Sequence, residues 1–339
     1  LSQPVDPRTA NYGVTVRLEK AGELVAARLM VSGSRLTVDP VADLEPGASY
    51  TLRLTTGLRS LLGKALTPGA YAAYTFTPRD TGMAAGRSSR IKIDIPAGGV
   101  SMLTGAGINQ VPVASPLLGQ GDRAPSTQAG GALYADLAYA PGFKDFNPAI
   151  VPLRVPRNNL LSGASLDVHI DGKVPAGLTT GNLTIKLTSD ANGLLLPNKY
   201  SNSPKAPALV VLEMDLALSA EDSTSNGAFS QNVMHAVVSG IAEIDQETQL
   251  LTINALGVIE LNILGVDNAV GVLSLKLVSE LDKVPGAMPA DTTAPLVQSW
   301  VPGDTVNNLP GGEFLRPGDP VIVNFSEVMD AASFHEAGR

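Results

Sequence analysis

Apolar residues in this chain alternate with polar ones over short runs, and Gly, Pro, Ser or Asn ends nearly every run. Residues 12–18 (Tyr-Gly-Val-Thr-Val-Arg-Leu) and 164–170 (Ala-Ser-Leu-Asp-Val-His-Ile) are examples. A period of two belongs to a strand with one buried face, and no stretch shows the sustained 3.6-residue period of a long amphipathic helix. The pattern restricts the 339 residues to an all-β protein of many short strands. The 34 Gly and 25 Pro are spread out rather than clustered, as turns between such strands require. The length admits two or three domains with cores of their own.

The net charge of -8 argues against a nucleic-acid partner. With no Cys there is no disulfide, thiolate metal site or Cys nucleophile. No run reaches the roughly 18 apolar residues of a membrane-crossing helix, so no membrane span is expected. The chain opens on Leu1 without a signal-peptide pattern, and we read it as processed or as a window on a longer protein.

Strands are predicted at 12–18, 24–31, 35–38, 50–54 and 74–77, with a β-turn at Pro46-Gly47 and a compact loop at 61–66. Leu1-Ser2-Gln3-Pro4-Val5-Asp6, Leu44 to Leu52, Leu61 to Leu66 and Tyr74-Thr75-Phe76 follow one another in an order and spacing that resemble the bacterial Ig-like (SbsA-type) domains of surface-layer proteins and large adhesins. The departures are Leu1, Gln3 and Val5, where that family has Phe, Glu and Met. The resemblance implies a β-sandwich over 1–79 that lacks its first strands, and no catalytic residues.

Residues 80–87 read as a linker, and 88–290 as a larger central β-sandwich or jelly-roll-like domain. Its first half is loop-heavy, and 115–131 shows no apolar period. Its second half offers strands at 209–218, 233–241, 249–255, 258–264 and 270–278, with Gly257, Gly265 and Asp267-Asn268 as punctuation. Short turns make this an antiparallel meander.

At the other end Phe325-Ser326-Glu327-Val328-Met329-Asp330 repeats the motif of Leu1 to Asp6. Asp291-Thr292-Thr293-Ala294-Pro295 resembles the linker that opens successive Ig-like modules, so 291–339 reads as the first strands of a further one, at 296–301 and 320–325. A lone pair of strands is marginal in water and needs completion. The completing strands belong either to a tandem neighbouring module or to the next copy in a head-to-tail homopolymer, through Val297, Val301, Val321, Val323 and Phe325.

Chemistry-bearing patterns are sparse. His169, His235 and His335 lack ligand spacing, and no Gly-x-Ser-x-Gly elbow, P-loop or dinucleotide fingerprint occurs. Oxygen ligands suit calcium, the one cofactor considered, and Asp291, Asp304, Glu327 and Asp330 are its candidate ligands at the joint between modules. The loop at 221–226 is either a second oxygen-rich site or a solvated turn. Tyr134, Tyr139, Phe143 and Phe146 stand close together in a chain with only 4% aromatics. They form either a platform for a surface glycan or a cluster that pins a long loop. A hydrolase using Asp136 or Asp145 has no paired motif behind it. The sequence thus points to a non-enzymatic extracellular structural protein of the bacterial cell surface, a repeat unit of a surface layer, adhesin or filament. The alternative is a glycan-binding surface module.

Overall fold

The computed structural model describes residues 1–67, 69, 72–78, 89–112, 125–138, 150–171, 173–203, 205–221, 231–262, 268–301, 317–318, 320–327 and 329. The protein divides into two compact units, one built on Leu1–Ala84 and the other spanning Ala85–Met329. Both are all-β among the described residues, apart from one 3-10 turn at Pro7–Thr9.

The first unit holds β1 (Val16–Lys20), β2 (Glu23–Leu24), β3 (Ala27–Ser32), β4 (Arg35–Pro40), β5 (Tyr50–Leu54) and β6 (Ala73–Phe76). They form a four-stranded sheet in the order β2-β1-β5-β6 and a two-stranded sheet of β3 and β4. The single strand predicted over 24–31 is two, because the chain changes sheets at Val25-Ala26: Val25 still bonds Leu18 beside β1, while Ala26 bonds Val41 beyond β4. The first strand begins only at Val16, because Asn11 to Thr15 turn around Gly13 at φ +83°. Val5, Val16, Leu18, Tyr50 and Leu58 are the buried core. The Tyr50 hydroxyl accepts a hydrogen bond from the Glu45 amide at 2.9 Å, which ties the Pro46-Gly47 turn to the core. The opening motif has a structural role: Val5 is 4% exposed, and the Asp6 carboxylate caps the 3-10 turn at the Arg8 amide, 3.1 Å away. The neighbouring Arg8 side chain holds the Asp6 carboxyl below its usual range.

The second unit is organised by one sheet of eleven strands, all antiparallel. In chain order these are β7 (Ser89–Asp94), β8 (Gln110–Pro112), β9 (Ser126–Leu137), β10 (Val151–Val155), β11 (Leu160–Gly163), β14 (Leu183–Leu187), β15 (Ala191–Leu196), β16 (Ala208–Ala220), β17 (Gln231–Asp245), β18 (Leu250–Asn262) and β19 (Asn268–Glu280). A small hairpin, β12 (Asp167–Ile170) and β13 (Val174–Thr179), stands apart from it. The pairings run round a closed ring: β16–β17–β18–β19–β7–β9, then β10 or β11, then β15 or β14, and back to β16. The two packed layers expected of a sandwich are therefore joined at both margins. Closure shortens the free edges that another chain could pair with.

The interior is aliphatic. Leu137, Leu153, Leu195, Leu251 and Ile259 are each at most 2% exposed, and Ala135, Ala191, Ala236 and Ala242 are fully buried. Alanines inside let opposite walls approach, which is how a chain so poor in aromatics fills its core. A crevice of about 10 Å³ between Leu153, Val210, Val238 and Ile253 is no more than a single water needs.

Three positions of the ring are each shared by two short strands laid end to end, and a buried polar side chain bridges each gap. At the β7/β8 break, Asn109 accepts from the Lys276 amide at 2.9 Å and donates to the Lys276 carbonyl at 2.8 Å. At the β10/β11 break, Asn159 does the same to Tyr134, at 2.6 and 3.1 Å. At the β14/β15 break, the Ser189 hydroxyl donates to the Asp215 carboxylate at 3.0 Å and the Thr188 amide to the Asp215 carbonyl. Each bridge supplies the continuous strand with partners that the gap would otherwise remove.

Two sequence expectations need correction here. The strands predicted at 249–255 and 258–264 are one strand, β18, and Gly257 lies inside it rather than at a turn. A Cβ on Gly257 would stand 2.6 Å from a Val238 methyl, so the glycine marks a close approach across the barrel wall. The patternless stretch 115–131 overlaps β9, whose inward positions begin with Thr127 and Ala129. Such small residues leave no apolar signature. The predicted linker at 80–87 lies outside the described residues.

Candidate functional surfaces

Beyond the barrel, β20 (Val297–Val301) and β21 (Ile322–Phe325) pair with each other and with no other described strand. The Ser326 hydroxyl accepts from the Leu296 amide at 2.9 Å, and the Ser326 amide returns a bond to the Leu296 carbonyl at 2.8 Å. The serine of the repeated motif thus closes the base of this hairpin. Val297 (51%), Val321 (65%) and Val323 (36%) are exposed, as sequence patterning led us to ask of a docking surface, and Ile322 on the opposite face is exposed too. Phe325 is half-buried, and the Val301 side chain lies outside the described residues.

The glutamate of the same motif has a different task. Lys186, on the outer side of β14, reaches Asp291 at 2.9 Å and Glu327 at 3.7 Å, with all three side chains only 20–22% exposed. The two described carboxylates of the calcium set therefore flank an ammonium group; Asp304 and Asp330 lie outside the described residues. Lys186 holds the Asp291 carboxyl below its ordinary value, helped by the Thr293 amide and opposed by burial. Because the folded-state value is depressed, this contribution is complete above the ordinary Asp value of 3.8 and disappears as pH falls through the lower folded value. We expect Lys186→Met, which keeps the stem but removes the charge, to lower amide protection over 291–296 by about tenfold in hydrogen-exchange mass spectrometry. Acid should have the same effect on the parent protein, and unchanged protection in the variant would show that the segment is held by something else.

A Ser, an Asp and a His do come together, at Ser189, Asp215 and His235. Asp215 takes the Ser189 hydroxyl on one oxygen and His235 Nδ1 on the other, the latter at 2.8 Å. The serine bonds the carboxylate and not the imidazole, so no base stands ready to activate it. His235 Nε2 is buried without a partner among the described residues. Of the two acids considered for a hydrolase, Asp136 is paired with Arg90 and, at 3.5 Å, with Arg154, and Asp145 lies outside the described residues. Sequence reading had no means to find the Asp215 cluster, since its members are turn and strand residues without mutual spacing.

Tyr134 sits in β9 opposite Lys92 of β7 and is half-buried, its backbone held by Asn159. Tyr139, Phe143 and Phe146 lie outside the described residues. No group of three or more His, Cys, Asp or Glu suited to a metal ion occurs among the described residues. No described helix is long and apolar enough to cross a membrane.

The comparison with known families settles the first unit, for residues 1–78 match the bacterial Ig-like domain. The amino-terminal unit is a bacterial Ig-like domain. Over 98% of its length the chain is also 36% identical to Alkane uptake protein B of Marinobacter nauticus. It spans about a third (33%) of that relative. No solved structure matches the chain. The Ig-like domain and the uptake relative together point to a surface-associated protein.

Proposed function

We propose that the chain is a non-enzymatic structural segment of a larger extracellular protein on the bacterial surface, built of tandem modules. The observation that carries this reading is the β20–β21 hairpin. It repeats the motif that opens the Ig-like domain, and it carries apolar side chains exposed on both faces. Two strands with unpartnered faces are marginal in water, so the reading has further Ig-like strands cover them. These strands come from the next module in the same polypeptide or from the next copy in a filament. A cleft of about 250 Å³ beside Leu1 to Val5 and Leu58 to Thr67 supports a complementary strand there.

The test is amide protection at 297–301 and 322–325, measured with the mass of the particle. These amides should exchange fast in a monomer and slowly in an assembled or longer protein. A folded monomer with both segments protected would rule the reading out.

The likeness to Alkane uptake protein B supports a second, compatible reading: the segment works in handling alkanes at the cell envelope. The glycan alternative rests on the aromatic residues around Tyr134. Alanine at Tyr139 and Phe143 should abolish glycan binding without loss of stability if that alternative holds.

A further inference from the structure

The outer wall of the barrel carries a row of exposed apolar side chains. Val237, Val258 and Val272 are hydrogen-bond-register neighbours on β17, β18 and β19, and their side chains are 45%, 53% and 56% exposed. The next outward row is Ser239, Leu256 and Ser274. At Ser274 the loop between β7 and β8 crosses the sheet, with the Thr104 hydroxyl 2.8 Å from that of Ser274. The loop tip is tied to itself, since the Ser101 amide bonds Ala106 and the Gly105 amide bonds Ser101. It directs Met102 and Leu103 outward, 67% and 41% exposed. The loop is thus anchored on β19 two residues along the strand from Val272.

The chemistry of this outer wall narrows what can sit there. Along this row β17 and β18 are paired on both sides, and β19 is paired with β18. The surface is a sheet face without a groove, which suits an extended apolar phase better than a pocketed ligand. None of the five side chains is charged, and the chain carries a net charge of -8. A face that binds anionic headgroups would be rimmed with Lys and Arg. The crevice among Leu153, Val210, Val238 and Ile253, about 10 Å³, is too small for an apolar guest.

We propose that Met102, Leu103, Val237, Val258 and Val272 form the face on which this protein contacts liquid hydrocarbon. The assignment rests on the alkane-handling reading above and locates it on the molecule. Threonine is isosteric with valine and equally at home in a strand, so V237T/V258T/V272T preserves the barrel while wetting the row. The M102Q/L103Q variant changes the loop tip independently, and V321T/V323T in the hairpin is the control.

The experiment measures reversible partition of the 339-residue chain onto hexadecane droplets, and onto vesicles of phosphatidylcholine with and without phosphatidylglycerol. The parent chain should bind droplets; each of the two face variants should bind about tenfold more weakly or less, and the control should bind as the parent does. Parent binding that survives in both face variants overturns the assignment of this face but leaves the alkane reading standing. A parent chain that ignores droplets overturns both. Preference for the anionic vesicles makes the face a lipid surface and overturns the proposal. So does a concentration-dependent dimer, seen by sedimentation, that the triple variant abolishes.

Discussion

Gly240→Ala should unfold the barrel while leaving the Ig-like domain folded. A Cβ at this position would stand 2.1 Å from the Asn254 carbonyl oxygen and 2.5 Å from the Ala255 Cα, both backbone atoms of the neighbouring strand. No flexible side chain is there to swing aside, so β17 or β18 must move as a whole. Overpacking against backbone costs about 3 kcal/mol or more, a large part of the stability of a domain this size. Denaturation followed by circular dichroism should show the barrel's transition lost or shifted far down and a second one unmoved. The control is Gly286→Ala, where an added Cβ meets nothing within 4 Å. A Gly240 variant as stable as the parent would mean that the two strands pack less closely than the structure has them.

The second large effect is expected at the bridged gaps. Asn159 is 1% exposed and makes hydrogen bonds to the Tyr134 amide, the Tyr134 carbonyl and the Pro156 carbonyl, the last at 2.6 Å. Asn159→Ala leaves buried backbone groups without partners and should cost about 3 kcal/mol. Asn159→Asp should be worse at neutral pH, because a carboxylate would face two carbonyl oxygens. Its charged form is disfavoured in the fold, so its folded pKa is raised and stability should recover as pH falls through that value towards the ordinary Asp range. Asn109 bridges the β7/β8 gap in the same manner and in a left-handed conformation, φ 55°. Asn109→Leu therefore adds backbone strain to the lost bonds. Equal urea midpoints for Asn159→Ala and the parent would show that water replaces the bridge.

How much of this was legible in the sequence depends on where the physics is local. Alternation and turn residues reveal strands because the side-chain period is a property of a few neighbouring residues. The Ig-like domain was readable from motifs whose jobs are local as well, Asp6 capping the turn after it and Tyr50 holding the Pro46-Gly47 turn. Gly257 was misread as a turn because nothing near it in sequence tells of Val238 pressing from the next strand. The beginning of β9 was hidden because Thr127 and Ala129 are small.

The surfaces divide in the same way. The exposed valines of the hairpin could be named from pattern alone. The partnership of Lys186 with Asp291 and Glu327 could not, since it joins residues far apart in the chain. Nor could the bridges at Asn109 and Asn159, where an asparagine acts as a fragment of strand. Closure of the ring is likewise invisible until strands distant in sequence are placed side by side.

That closure has a consequence for the order of events during synthesis and export. The ring is sealed where Asp94 of β7 meets Val278 of β19, close to the two ends of the barrel's sequence. Until the last of these strands emerges, every earlier sheet must wait with an open margin and a half-covered apolar face. Contacts between such distant segments form slowly, and unpaired margins invite misassembly in the interval. The stretch that completes the barrel is thus also the one that ends its vulnerability, and the Ig-like domain ahead of it, made of nearer contacts, can be finished long before.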